Sequence, residues 1–383
     1  MVTMKLKDCC TIIAGQSPES KYYNTEGVGI PFFQGKADFG EVYPTIRVYC
    51  SRPTKIAEKD DILLFVRAPV GPTNLSPGTV CIGRGLTAIR PSEMLNLRYL
   101  LDYFRYFEAQ LQQIGTGTTF KAITQDVIKN LEVPIPPLDE QERIVARIEE
   151  LFSELDNGVE TLRKTKQQLA VYRQAVLTNA FENINNVVDM DTLAIMIDPQ
   201  PSHRTPSEVL GGIPYIGIGD INYEDQCICF EDARKVAKSV LNEHKDRYEI
   251  HAGDFVMGKI GTIGKPFRLP LPQEYTLSAN VILIQPNPDI IIPDFLFWQF
   301  ASPLITRQLT LGATATSQPA FGIKKARKLQ IRICDIEKQK SILSDISEKM
   351  SVCDSIEKTV DTALQQAEAM RQSILKKAFE GRI

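Results

Sequence analysis

Apolar residues recur every seven positions at Ile148, Leu155, Leu162, Leu169 and Val176. A second series starts at Ile144 and Leu151, is interrupted at Gly158 and Thr165, and resumes at Tyr172. Alternating steps of three and four residues mark a coiled-coil seam, not the wider stripe of a helix laid on a core. The pattern predicts one helix from Leu138 to Glu182, roughly 65–70 Å long at about 1.5 Å per residue. Asp139 with Glu142 three residues later reads as a capping pair. Asn183 reads as a left-handed stop.

The same pattern returns over Ile336 to Glu380. Its seam runs Ile346, Cys353, Val360, Ala367 and Ile374, and its stop is Gly381. The pairs Leu131/Leu329, Gln141/Gln339, Ile144/Ile342, Arg173/Arg371, Gln174/Gln372 and Phe181/Phe379 share a single offset. A constant offset with matched Arg-Gln and Phe-Glu dipeptides indicates an internal repeat; two unrelated amphipathic helices would not keep it.

Between the helices the pattern shortens. Residues 1–137 carry brief apolar runs bounded by Gly and Pro: Ile30–Gln34, Ile62–Arg67, Val80–Ile82, Leu86–Pro91 and Leu131–Pro137. These read as strands of a mixed, mostly β domain, with one helix over Leu97–Gln113. Residues 184–335 repeat the plan. Ile213–Ile216 echoes Ile30–Phe33, and Gly253–Met257 echoes Asp60–Leu64. Gly261–Gly264 stands where Gly71–Thr73 stood, and Phe295–Leu309 is the matching helix. The predicted fold is α+β: globular domains at 1–137 and 184–335, long spacer helices at 138–183 and 336–383. Two matching seams in one chain predict an antiparallel coiled coil between halves related by a pseudo-two-fold, with a globular domain at each end. Such an arrangement suits a ligand with two separated sites, and a duplex read at two half-sites is one.

Formal net charge is −3, distributed as about +2, −3, −2 and 0 over those four segments. No global basic surface announces nucleic acid, so any DNA contact must come from local patches. Eight cysteines and three histidines show no zinc spacing, which fits a reduced cytoplasmic protein. No apolar run reaches membrane-spanning length, and no signal-peptide pattern opens the chain. Gly258–Lys265 superficially matches a phosphate-binding Walker loop. Its glycine spacing is wrong, and Pro266 stands where Ser or Thr must follow the lysine. Neither an Asn-Pro-Pro-aromatic tetrapeptide nor a GxGxxG after a strand is present, and no acidic nuclease cluster stands out. No catalytic, cofactor-binding or metal-binding residue is expected in this chain.

With domain, long helix, domain, long helix in order, the sequence resembles the specificity subunit (HsdS-type) of type I restriction-modification systems. The segments that carry the resemblance are the helix entry IPPLDEQERIVARIEEL, the exits RQAVLTNAFE and RQSILKKAFEG, and DDILLFVRAPVG with GDFVMGKIGTIG. The second helix entry departs from the PPLxEQ form, with Cys334 and Asp335 in place of the prolines. The resemblance implies that each globular domain reads one half of a bipartite double-stranded DNA site. It implies that the helices set the spacing and dock two methyltransferase subunits, which bring S-adenosylmethionine and modify adenine. Restriction subunits join the full complex. A structural adaptor that binds only protein partners is the alternative reading.

Candidate DNA contacts follow from residue chemistry. Gly115, Thr116, Thr118, Thr119 and Lys121 offer backbone amides, hydroxyls and a cation to a phosphate. Thr314, Thr316, Ser317 and Gln318 with Lys324 and Lys325 form the second such group. Lys259 and Thr262, with Arg67 as their counterpart in the first domain, are expected to reach DNA. Gln34 and Asp220 follow the two IPF/IPY strands and are candidates for base edges.

Overall fold

Both globular domains rest on the same four-stranded antiparallel sheet. In the first, the order is Cys10–Ala14, Leu86–Pro91, Ile62–Phe65, Thr73–Leu75. In the second it is Ala194–Ile197, Val281–Pro286, Phe255–Gly258, Pro266–Arg268. The middle strands Ile62–Phe65 and Phe255–Gly258 are buried throughout, so they read as unbroken apolar runs with no alternation. A second sheet in each domain carries one parallel pair, Phe32 beside Cys81 and Tyr215 beside Thr276. The structure is a computed structural model, and it describes residues 2–114, 122–313 and 320–383.

The long helices are Leu138–Glu182 and Ile336–Phe379. The chain divides into two compact units, Met1–Leu162 with Asp361–Ile383, and Arg163–Val360. Each long helix therefore begins in one unit and ends in the other. In the first unit Ile144, Val145 and Ile148 share an apolar core with Leu375 and Ala378. In the second, Val176, Leu177 and Phe181 share one with Ile346 and Met350. Within each unit the two helix segments run antiparallel, and the repeated arginine bridges them. Arg371 pairs with Asp156 in the first unit. Arg173 pairs with Asp354 at 2.7 Å and Glu357 at 2.8 Å in the second. All ten seam residues are buried or half-buried. Tyr172 of the second series is 50% exposed, so that series stops before it.

A repeated glutamine fixes each helix entry to its domain. Gln141 is fully buried; its carbonyl accepts from Asn96 N–H at 2.7 Å, and its amide donates to the Met94 and Pro136 carbonyls at 2.9 and 2.8 Å. Gln339 does the same with Ile292, Ile290 and Cys334. Gln141→Ala strands one buried N–H and leaves two carbonyls short of a donor. It should destabilise the first unit by about 2–3 kcal/mol in urea titration. A loss under about 0.5 kcal/mol would mean that water replaces the amide.

Several local expectations change. The first helix begins at Leu138, and the Pro137 carbonyl accepts from Glu140 and Gln141. Asp139 thus lies inside the first turn, where it favours the helix dipole but does not cap. In the second helix Asp335 takes the cap position, accepting from Lys338 N–H at 2.9 Å, so the departure from Pro-Pro brings in a side-chain cap. Asn183 does not adopt the left-handed conformation, whereas Gly381 does at φ 72°. The helix expected over Phe295–Leu309 is two, Pro293–Phe300 and Pro303–Gly312. Pro303 lacks an N–H and disfavours helical geometry at Ser302. The loop register also shifts by three: Gly264, not Gly261, matches Gly71. Gly71 and Gly264 donate to Phe65 and Gly258 respectively, both have positive φ, and both lie against a helix where a side chain would strike Glu108 or Leu309.

Candidate functional site

In each unit the same backbone hydrogen bonds gather four segments at one end of the central strand. In the first unit, Gly83 N–H donates to the Phe33 carbonyl (2.8 Å), and Val66 N–H to Gly85 (3.0 Å). Ile123 N–H donates to Val66 (3.1 Å), while Arg67 bridges Ala122. In the second, Ser278 donates to Ile216 (2.8 Å), Lys259 to Asn280 (2.8 Å) and Phe321 to Lys259 (2.9 Å), and Ile260 bridges Ala320. The junction therefore joins the exit of the IPF/IPY strand, the exit of the buried strand, the turn into the last sheet strand, and the residue that follows each Gly/Thr-rich loop. The loop residues Gly115, Thr116, Thr118, Thr119, Lys121, Thr314, Thr316, Ser317 and Gln318 lie outside the described residues.

This correspondence separates two residues that the sequence reading treated as equals. Arg67 matches Ile260, whereas Lys259 matches Val66. Arg67 is exposed. Lys259 is 8% exposed and its ammonium sits 2.6 Å from Asp198. The buried strand register turns that position inward, and a lysine held there requires a paired carboxylate. Lys259 is thus held in a buried ion pair, not on the exposed surface expected of it. Thr262 is exposed on the adjoining turn. Asp220 is committed to its own turn, accepting from Gly217 N–H at 2.7 Å; its counterpart is Asp38, which accepts from Gln34 and Gly35, not Gln34. Gln34 is exposed, with its amide 3.4 Å from Ser17 Oγ.

The basic run of the second unit splits by role. Lys324 is exposed on the short helix Ile323–Ala326. Lys325 holds the Gly312 carbonyl at 2.9 Å. Lys328 pairs with Asp189 and Asp191 and holds the Asp189 carboxyl below its ordinary range. Sequence reasoning missed Ser17 and Arg84. The signal for Arg84 was present: Gly83-Arg84-Gly85 separates two strands, and an arginine between two glycines in such a turn is presented outward.

A buried polar network next to Asp198 was also missed. His244, 1% exposed, meets Thr276 and Gln200, with Tyr248 Oη at 3.2 Å. The Gln200 carbonyl oxygen at Nε2 places the ring proton there and leaves Nδ1 to accept from a hydroxyl. Burial, and then Arg247, depress the His244 pKa below the ordinary histidine value. The unfolded chain then binds the proton first, so this group's contribution is complete above pH about 6.5 and declines as pH falls through and below it. Urea titrations at pH 7.5 and 5.5 should show the second unit weaker at pH 5.5, and His244→Gln should reduce that difference.

Among the described residues, no cluster of His, Cys, Asp and Glu is placed to hold a metal ion. No described helix is long and apolar enough to cross a membrane. Residues 1–169 and 204–366 match the family described as the type I restriction modification DNA specificity domain. The chain belongs to that family. Among curated relatives, it is 40% identical over 167 residues to a putative type I restriction enzyme MjaX specificity subunit of Methanocaldococcus jannaschii, covering 43% of this chain and 38% of the relative. It is 25% identical over 315 residues to the EcoBI specificity subunit of Escherichia coli, covering 75% and 66%. A crystal structure of the HsdS subunit from Thermoanaerobacter tengcongensis is similar at 47% identity over 40% of this chain and 37% of that one, with a TM-score of 0.38. The matched stretches thus span less than two thirds of each of these relatives.

Proposed function

We propose that this chain is the sequence-recognition subunit of a type I restriction-modification complex. Each globular domain reads one half of a bipartite duplex site, and the paired helices set the spacing and dock two methyltransferase subunits. The observation that carries this reading is the repeated junction. The same four segments meet in both units, but the side chains they present differ: Arg67 and Arg84 in one, Ile260 and Ala279 in the other. One scaffold used twice with different side chains suits a site with two different halves. The chemistry belongs to the partners: methyl transfer uses S-adenosylmethionine held by the methyltransferase subunits, and cleavage requires restriction subunits. This chain supplies position and sequence choice, in the cytoplasm where the DNA lies.

The test is methylation mapping. The chain is co-expressed with its methyltransferase subunit in a methylation-free host, and the modified DNA is sequenced. The expected result is a single bipartite motif that disappears when this chain is omitted. An assembled complex that leaves no motif would transfer the role to protein–protein bridging alone.

A further inference from the structure

We propose that Arg84 reads a guanine, through its major-groove edge, in the half-site bound by the first unit. The proposal rests on the DNA-recognition reading above and adds to it a residue and a base.

The Gly83–Leu86 turn closes on itself, with Leu86 N–H 2.9 Å from the Gly83 carbonyl. It is pinned from three sides. Gly83 donates to Phe33, Val66 donates to Gly85, and the Arg84 N–H donates to Ser17 Oγ at 3.2 Å. A side chain on Gly85 would lie 2.3 Å from the Gln34 carbonyl oxygen, so the turn sits flush against the strand exit and only glycine fits. The Arg84 side chain is exposed while its backbone is fixed. A guanidinium on a rigid base suits the bidentate pair that arginine makes with guanine O6 and N7. Ser17 Oγ also meets the Gln34 amide, so Gln34, Ser17 and Arg84 form one continuous polar edge.

The second unit supplies the comparison. Its turn, Ser278–Val281, makes the same bonds to Ile216 and Lys259. The position of Arg84 is Ala279, and the Asn280 side-chain oxygen is taken up by Ile218 N–H at 3.1 Å. Phosphates are alike under both units, so a phosphate contact would be expected at both turns. An arginine at one turn and an alanine at the other follows base sequence instead.

The test maps methylated motifs for the wild-type complex and for complexes carrying Arg84→Ala or Arg84→Gln. The wild-type half-site of the first unit should contain a G·C pair at which Arg84→Ala loses about 10- to 100-fold discrimination. The other half-site and the spacer should be unchanged. Arg84→Gln keeps much of the side chain and should shift preference at that pair toward adenine, and it serves if the alanine variant fails to assemble. A motif unchanged in both variants would overturn the proposal while leaving the recognition role intact. So would a uniform fall in methylation with the motif intact, which marks a phosphate contact. A wild-type complex that yields no motif would overturn the recognition role and this proposal with it.

Discussion

Removing one heptad from each long helix, residues 161–167 and 360–366, should shorten the DNA spacer by about three base pairs and leave both half-sites unchanged. Seven helical residues span about 10 Å, and a duplex advances about 3.4 Å per base pair. A seven-residue step keeps each seam in phase, so Leu155 is followed by Leu169 and Cys353 by Ala367. It also keeps the arginine bridges, Asp156 with Arg371 and Arg173 with Asp354. Both helices must be cut, because each begins in one unit and ends in the other. Cutting one alone would slide one set of seam residues against the other. Methylation mapping reads the spacer and both half-sites in one experiment. An unchanged spacer would remove the helices from the measurement of distance, and an altered half-site would place part of the reading in them.

The long helices were legible because a heptad repeat is a strong, long-range signal that few other folds can produce. The internal offset made the second helix legible from the first. The buried strands were legible because runs such as Ile62–Phe65 stand between turn residues. The second sheets were legible only in part: Ile30–Phe33, Val80–Ile82 and Ile213–Ile216 stand out as apolar runs, but Tyr49–Cys50, Ile56–Ala57 and Lys235–Val236 are two residues long, too short to show a period. The break at Ser302–Pro303 was written in the chain, and the proline should have outweighed the apolar run around it.

The candidate site was harder to read, because exposure is decided by partners far along the chain. Lys259 looked like a surface cation until Asp198, distant in sequence, was seen to hold it. Asp220 looked free until its own turn claimed the carboxylate. Arg84 carries only a short local signal, the two glycines that flank it. Its meaning comes from the matching turn in the second unit, and that match is made by backbone hydrogen bonds and not by similar residues.

Phe181→Ala should cost the second unit about 3–5 kcal/mol, the usual range for truncating a fully buried phenylalanine. That is a large share of the roughly 5–15 kcal/mol that holds a typical domain together. Phe181 is 0% exposed and sits edge-on to Phe295 with centroids 5.3 Å apart. It also joins the helix exit to the core that contains Ile346 and Met350. The repeat places Phe379 in the same role in the first unit, against Tyr99, Tyr103 and Tyr106 at 5.2, 5.4 and 5.5 Å. Phe379 is only half-buried, so Phe379→Ala should cost less. The chain has one tryptophan, Trp298, packed on Phe297 in the second unit. Its fluorescence reports that unit alone, while circular dichroism reports both. Phe181→Ala should move the fluorescence transition to lower urea by at least about 1 M, given urea slopes of about 1–3 kcal/mol per M. Phe379→Ala should shift the circular dichroism curve and leave the fluorescence midpoint in place. If both variants move both probes together, the units unfold as one cooperative body through the helices they share, and each phenylalanine then supports the whole chain.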